Sequence, residues 1–384
     1  MLTHKQADYV IIGGGISGVS IGYNLLKNGA KNVVLLERHY LASGATGRCG
    51  AGIRQQWSTE LNCKMSKYSC EFFENAVDEL EYDGDIEFHQ GGYLMCISTE
   101  KELETMTEIN KFQNSMGIMS RMVSLEEAKE IAPPLCTDTL VGASYYEKDG
   151  HLNPFHTTQA YADAFKRLGG TIYTNTIATK VLTEQGKAVG VETDQGTIMA
   201  GTVILAAGGY SQDLAKTAGV DLPLYSERHQ ILVTEPLDYI LNPMLMSFSL
   251  NFYCQQVPHG SFVMGRSGEN EAKDLRITAS HEFLDEMCSS IVKIVPALRN
   301  VRLLRQWAGL YNMTQDKQSI YGAVPELENF FVAVGFSGHG FMMAPATGRI
   351  MAEIVLGLEP TLPWDRLNIN RFKEGNLILE KSVV

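Results

Sequence analysis

The sequence predicts two intermixed domains, an α/β domain on a parallel sheet and an α+β domain on an antiparallel sheet inserted into it. Three observations carry this. A strand, a glycine turn, a helix and a second strand fill the first 37 residues. Apolar strands with the same buried character return at 203–208 and 330–335, each ending in small residues. Between these returns the pattern changes to short strands separated by turn residues, at 86–96 and 222–311, which read as antiparallel pairing. A chain of 384 residues also exceeds what one core serves. The α/β domain is therefore assigned residues 1–83, 150–220 and 324–384, and the inserted domain 84–149 and 221–323.

Each element follows in order. Tyr9–Ile12 is a buried strand, and Gly13, Gly15 and Gly18 satisfy G-x-G-x-x-G where it hands over to a helix, the Rossmann-like signature of a dinucleotide site. Gly13 permits the tight turn and Gly15 lets backbone approach a pyrophosphate. Gly18 lets the helix pack on the strand, while Ile16 and Ser17 open the helix N-terminus that stabilises phosphate charge. Glu37, at the end of Val33–Leu36 and followed by Arg38, is placed to accept both hydroxyls of a ribose. The loop Ser43, Gly44, Ala45, Thr46, Gly47, Arg48, Cys49, Gly50, Ala51 and on to Arg54 is made of small residues that let backbone approach a ligand, with two arginines for fixed charge.

A helix is expected from about Ser58 to Leu80, then strands Ile86–His89 and Tyr93–Cys96 and a helix to about Met116. Ser124 to Glu127 is a capping box opening a helix that stops before Pro133-Pro134. Asn153-Pro154 starts a helix to Leu168, Thr171–Thr174 is a strand, and 178–182 (with Val181), 188–193 and 196–199 form a meander. The strand 203–208 ends in Ala207 and Gly208 and brings the backbone back to the nucleotide. Strands and turns then alternate from Leu222 to Tyr311 around a helix at 280–294. The strand 330–335 ends at Gly335 and runs into Ser337, Gly338, His339, Gly340, Phe341 and Met342 before a helix to about Leu356.

The net charge of −12 and the lack of a Lys/Arg run exclude a nucleic-acid partner. No apolar run approaches the roughly 20 residues of a membrane span, and no secretory leader precedes the first strand, so the expected location is the cytoplasm. The seven cysteines show no C-x-x-C pair and no zinc spacing, which leaves reduced thiols and no metal. Cys49, inside the glycine loop, reads as packing.

Together these pieces resemble the D-amino-acid-oxidase-like flavoprotein superfamily over nearly the whole chain. The resemblance rests on the N-terminal fingerprint, the strand 203–208, and Phe330 to Gly348. Gly47 to Gln56, Trp307-Ala-Gly309 and Gly338 to Pro345 are most similar to the beta subunits of heteromeric dye-linked L-proline dehydrogenases and sarcosine oxidases. The resemblance implies FAD and oxidation of a C–N bond in a small amino or imino acid by hydride transfer to flavin N5. It also implies an alpha subunit, and an iron–sulfur subunit as a further electron carrier. Monomeric sarcosine oxidases tether FAD through a cysteine, and the matching segment Gly309 to Thr314 has none, so FAD is expected to be noncovalent. Pro154 falls near the histidine that carries FMN in heterotetrameric relatives, which leaves only a noncovalent FMN at a subunit interface open.

By the same resemblance Arg54 anchors a substrate carboxylate, with a structural salt bridge as the alternative. Arg48 touches the flavin, touches a partner or braces its loop. His339 offers either its backbone or an acid–base ring. Trp307 and Tyr311 share a strand face and form either a wall over the flavin or core, and Tyr253 and His259 carry the same ambiguity. Two other readings stay open, a self-sufficient oxidase releasing peroxide and a flavin relay subunit with no substrate of its own. A nicotinamide enzyme would not need the return of the chain at 335–345.

Overall fold

The computed structural model describes residues 2–268 and 271–382, and two eight-stranded sheets organise them. In the first, the order is Ile320–Ala323, Phe330–Val334, Gly196–Leu205, Gln6–Ile12, Val33–Leu36, Thr171–Tyr173. All joints but that between Ile320–Ala323 and Phe330–Val334 are parallel. The runs are apolar throughout because both faces are buried. Ile11, Val33, Leu35 and Ile204 pack under the helices Ile16–Lys27, Pro154–Arg167 and Ala344–Val355. Their neighbours Val10, Val34, Val203 and Leu205 face the meander strands Ala178–Glu184 and Lys187–Thr193.

The second sheet runs Leu303–Met313, Tyr225–Thr234, Phe262–Arg266, Phe252–Gln256, Met244–Ser247, Tyr93–Ile97, Gly142–Tyr146, Arg121–Val123. It is antiparallel apart from one parallel joint, between Met244–Ser247 and Tyr93–Ile97. One face buries Leu232, Leu245, Phe262 and Met264 against Phe283, Met287 and Ile291 of the helix His281–Ile294. That leaves Tyr93, His229, Met244, Met246, Tyr253 and Tyr311 to line a cavity on the other face.

Several sequence expectations change. The strands expected at 196–199 and 203–208 are one continuous strand, Gly196–Leu205, which pairs antiparallel with the meander and then parallel with Gln6–Ile12. The helix expected over 58–80 is interrupted at Asn75 between Glu60–Glu74 and Ala76–Glu79. Ile86–His89 is not a strand, because Glu87 takes φ 54, a left-handed backbone that breaks extended pairing. Only His89 bridges, to His151. Ile320–Ala323 pairs in the first sheet, on the far side of the boundary drawn at residue 324. No helix among the described residues is long and apolar enough to cross a membrane.

Candidate active site

The C-terminal ends of Gln6–Ile12 and Val33–Leu36 open into a cavity of about 490 Å³. Gly13 has φ +118, and a Cβ there would lie 2.3 Å from the Ala206 carbonyl oxygen. At Gly18 a Cβ would lie 1.9 Å from the Gly13 oxygen, so Gly18 does not line the cavity and serves to seat the helix on the turn. The helix Ile16–Lys27 starts at Gly15 with no side-chain cap, which leaves N–H groups and the positive end of its dipole for an anion. Glu37 is only 6% exposed and already accepts bonds from the Gly14 N–H (2.8 Å), the His39 N–H (2.8 Å) and the Ser43 hydroxyl (3.0 Å). Of the roughly four lone-pair sites of a carboxylate about one remains, on Oε2. Its bonds fix the glycine turn and the 43–54 loop while its side chain lines the cavity.

The same cavity runs past Ser43 to Thr46, Arg48 and Cys49, past Ala207 and Gly208, and on to Gly338, Gly340 and Phe341. Ser337 has φ 47 and Gly338 φ +93, and a Cβ on Gly338 would meet the Tyr311 ring at 2.6 Å. This turn leads into Ala344–Val355, again with no side-chain cap. The N–H groups of Gly340, Phe341 and Met342 take no backbone partner among the described residues, and they can stabilise negative charge on a bound group.

Beyond Cys49 and Tyr311 the cavity continues into a second space of about 100 Å³ facing the second sheet. Gly50, Ala51, Arg54, Trp57, Tyr93, His229, Met244, Met246, Tyr253, His339 and Met342 line it. Arg54 is 4% exposed. Its Nη1 donates to the Gln56 carbonyl (2.8 Å) and its Nη2 to the Ser382 carbonyl (2.7 Å), and its guanidinium lies 3.9 Å from the Trp57 ring. Among the described residues it has no salt bridge, and burial pulls its pKa below the usual guanidinium range. His339 packs edge-on to Trp57 at 5.3 Å, and its Nδ1 is buried without a partner. Burial, with Arg54 nearby, lowers its pKa to about 4. At neutral pH this imidazole is neutral, so it can accept a hydrogen bond and cannot act as a charged acid.

Other expected residues fall outside both cavities. Val181 is fully buried and its N–H is bound to the Thr217 hydroxyl (3.0 Å); the cavity is lined instead by Thr176, Ile177, Ala178 and Thr179. The Trp307 Nε1 donates to the Arg48 carbonyl (3.1 Å), while Arg48 Nη1 donates to the Ala308 carbonyl (3.0 Å) and its Nε to Ser43 (3.1 Å). Arg48 thus braces its loop, and Trp307 with Gly309 clamps it. Gly335, φ +75, gives its N–H to the Asn312 side chain (2.8 Å) and shapes the turn from behind. His259 is exposed in a turn away from the site. Sequence reasoning missed His229, Tyr93, Met244 and Met246, because an alternating strand does not reveal which face meets a ligand.

The comparisons with known proteins bear on this geometry. The family model of FAD dependent oxidoreductases (DAO) matches residues 8–354. The chain belongs to this family. Like other FAD dependent oxidoreductases of the group, it is similar to the sarcosine oxidase subunit beta of Arthrobacter sp, 30% identical over 98% of this chain and 93% of the relative. It is also similar to that of Rhodobacter capsulatus, at 29% over 98% and 91%. Among solved structures, L-proline dehydrogenase from P. horikoshii matches with a TM-score of 0.93 and 35% identity, covering 98% of this chain and all of that one. Glycine oxidase from Geobacillus kaustophilus shares the fold, with a TM-score of 0.88 at 22% identity over 96% and 99% of the two chains.

The residues present fit FAD. An elongated cavity starts at an acidic strand end and crosses one uncapped helix N-terminus. It finishes at a second, beside an unsaturated turn. When bound, FAD supplies the two-electron oxidant of this oxidoreductase. Gly13, Gly15, Ile16 and Ser17 would hold its pyrophosphate, Glu37 and Arg38 its ribose end, and Gly340 to Met342 its ring.

Proposed function

We propose that the chain oxidises the C–N bond of a small amino or imino acid, of the L-proline, sarcosine or glycine kind, and passes the electrons to a partner subunit. The single observation that carries this is Arg54, a buried cation without a paired carboxylate among the described residues, on the wall of a small cavity continuous with the FAD cleft. Its hydrogen bonds go to backbone carbonyls, which leaves donors of the planar guanidinium fork free to grip a ligand carboxylate. With the carboxylate held there, Tyr311, His229, Tyr253 and Tyr93 confine the amine end and exclude water. Neutral His339 can accept a hydrogen bond from the amine, keeping its lone pair available as the adjacent C–H bond breaks.

The names of the relatives, a sarcosine oxidase subunit beta and an L-proline dehydrogenase, support a carboxylated amine and a multi-subunit assembly with an alpha subunit. The rival is a self-sufficient oxidase returning electrons to oxygen. No lysine lines the substrate cavity among the described residues, and this favours the dehydrogenase. Anaerobic mixing of the FAD-loaded protein with L-proline, sarcosine and glycine tests both. Bleaching of the flavin band by at least one acid, with slow recovery in air, is the expected result. No bleaching overturns the reading, and rapid recovery with stoichiometric peroxide assigns the oxidase instead.

A further inference from the structure

Arg54 is held in an uncommon way. Both of its hydrogen bonds go to backbone carbonyls, Gln56 and Ser382, and the acids that act on its charge, Glu380 and Asp149, stand one layer back. Ser382 closes the segment 378–382, which crosses from the far end of the chain to the start of the helix Glu60–Glu74. Within it Glu380 is 8% exposed. Its carboxylate accepts bonds from the Ser58 N–H (2.8 Å), the Ser58 hydroxyl, the Thr59 hydroxyl (2.8 Å), the Asn62 amide (3.0 Å) and the Ser382 N–H (3.0 Å). The Lys381 N–H adds a bond to the Ser58 hydroxyl (2.8 Å). Glu380 thereby fixes the residue whose carbonyl grips Arg54 and, through Ser58 and Thr59, the chain just beyond Trp57. Burial pushes its pKa up, but the bonds from Ser58, Asn62 and Thr59 outweigh that and keep it ionised below the usual range.

A direct Glu–Arg pair would occupy the guanidinium fork, and no acid nearby would leave a buried charge uncompensated. A carbonyl contact with an acid behind it avoids both, leaving about three of five N–H donors unspent. We infer that Glu380 is a positioning residue for the reaction, acting through the 378–382 segment to aim the Arg54 fork at the substrate carboxylate. This rests on the reading of Arg54 as the carboxylate anchor.

The test compares E380Q and R54K with the parent, all full-length and FAD-loaded, using whichever of L-proline, sarcosine and glycine reduces the parent flavin fastest, and its amide. E380Q should raise KM for the acid about tenfold while kcat stays within about twofold, the pattern of lost uniform binding. KM for the amide and flavin content should hold while the thermal midpoint falls with the lost bonds to Ser58 and Thr59, a split that a merely structural role would not give. The non-oxidisable probe pyrrole-2-carboxylate, titrated by flavin absorbance, should weaken in parallel. If E380Q keeps the parent KM while R54K raises it, the inference falls and the anchor reading stands; if R54K also keeps it, both fall. Should E380Q not accumulate, Ser58→Ala, which removes two of the bonds above, must raise KM in the same direction, and an unchanged KM there overturns the inference equally.

Discussion

The His229 imidazole lies stacked on the Tyr311 ring, with centroids 4.3 Å apart and planes within 7°, and Tyr253 stacks on it at 5.8 Å. The stack spans three strands of the second sheet and ends against Gly338. It joins the inserted sheet to the cofactor turn alongside the bonds that Asn312 accepts from the Ser337 N–H (2.9 Å) and the Gly335 N–H (2.8 Å).

Tyr311→Ala should therefore cost about 3 kcal/mol, as expected for emptying a buried aromatic site, and should reduce flavin content. Tyr311→Phe keeps the stack and should stay within about 1 kcal/mol. Urea unfolding and the ratio of flavin to protein absorbance check both; equal losses in the two variants would contradict the stacking role.

Gly18→Ala drives a methyl onto the Gly13 oxygen at 1.9 Å, a backbone atom that cannot step aside. The turn or the helix must shift, at a cost of about 3 kcal/mol. The variant should purify largely without FAD, and a yellow protein with the parent flavin ratio would refute this.

Acid should destabilise the fold between about pH 6.5 and 4. Burial lowers the pKa of His151 (with His89 nearby), His229 and His339 (with Arg54 nearby) from 6.5 to about 4. Between those values the unfolded chain binds protons that the folded chain refuses, so the histidine contribution is full above the upper limit and falls as pH drops, opposed in part by Asp149, whose carboxyl burial pushes up to about 7. Each imidazole accounts for on the order of 3 kcal/mol across the window. His151→Asn should flatten the acid limb of urea midpoint against pH by about a third of the histidine part, while an unchanged limb would rule His151 out.

Cys49 should be inert. Burial pushes its thiol up to about 11, against the lowering effect of backbone bonds at Ala51 and its own N–H. At pH 8 the thiolate that alkylates is scarce, so mass spectrometry of iodoacetamide-treated holoprotein should find Cys49 unmodified.

The nucleotide half was legible in the sequence because its signals are local and chemical. Gly13, Gly15, Gly18 and Glu37 lie within one strand–turn–helix–strand unit whose spacing encodes the geometry. The resemblance supplied Arg54 and the turn at Gly338. The rest depends on distant chain. His229 reads as an ordinary strand residue until its partners at 253 and 311 are in place, and Glu380 matters only because the tail returns to Ser58. Val181 was misplaced for the related reason that a strand's backbone bond, here to Thr217, is invisible before the neighbouring helix is known.

The reciprocal clasp between Arg48 and Trp307-Ala308 fastens the ligand-hugging loop to the second sheet. Both acceptors are backbone carbonyls and both donors are side chains, the Arg48 guanidinium and the Trp307 indole, so the clasp depends on those two side chains and on the backbone of each segment standing within their reach. Losing either side chain would therefore undo one half of the seam by which the inserted sheet holds the rim of the nucleotide cleft.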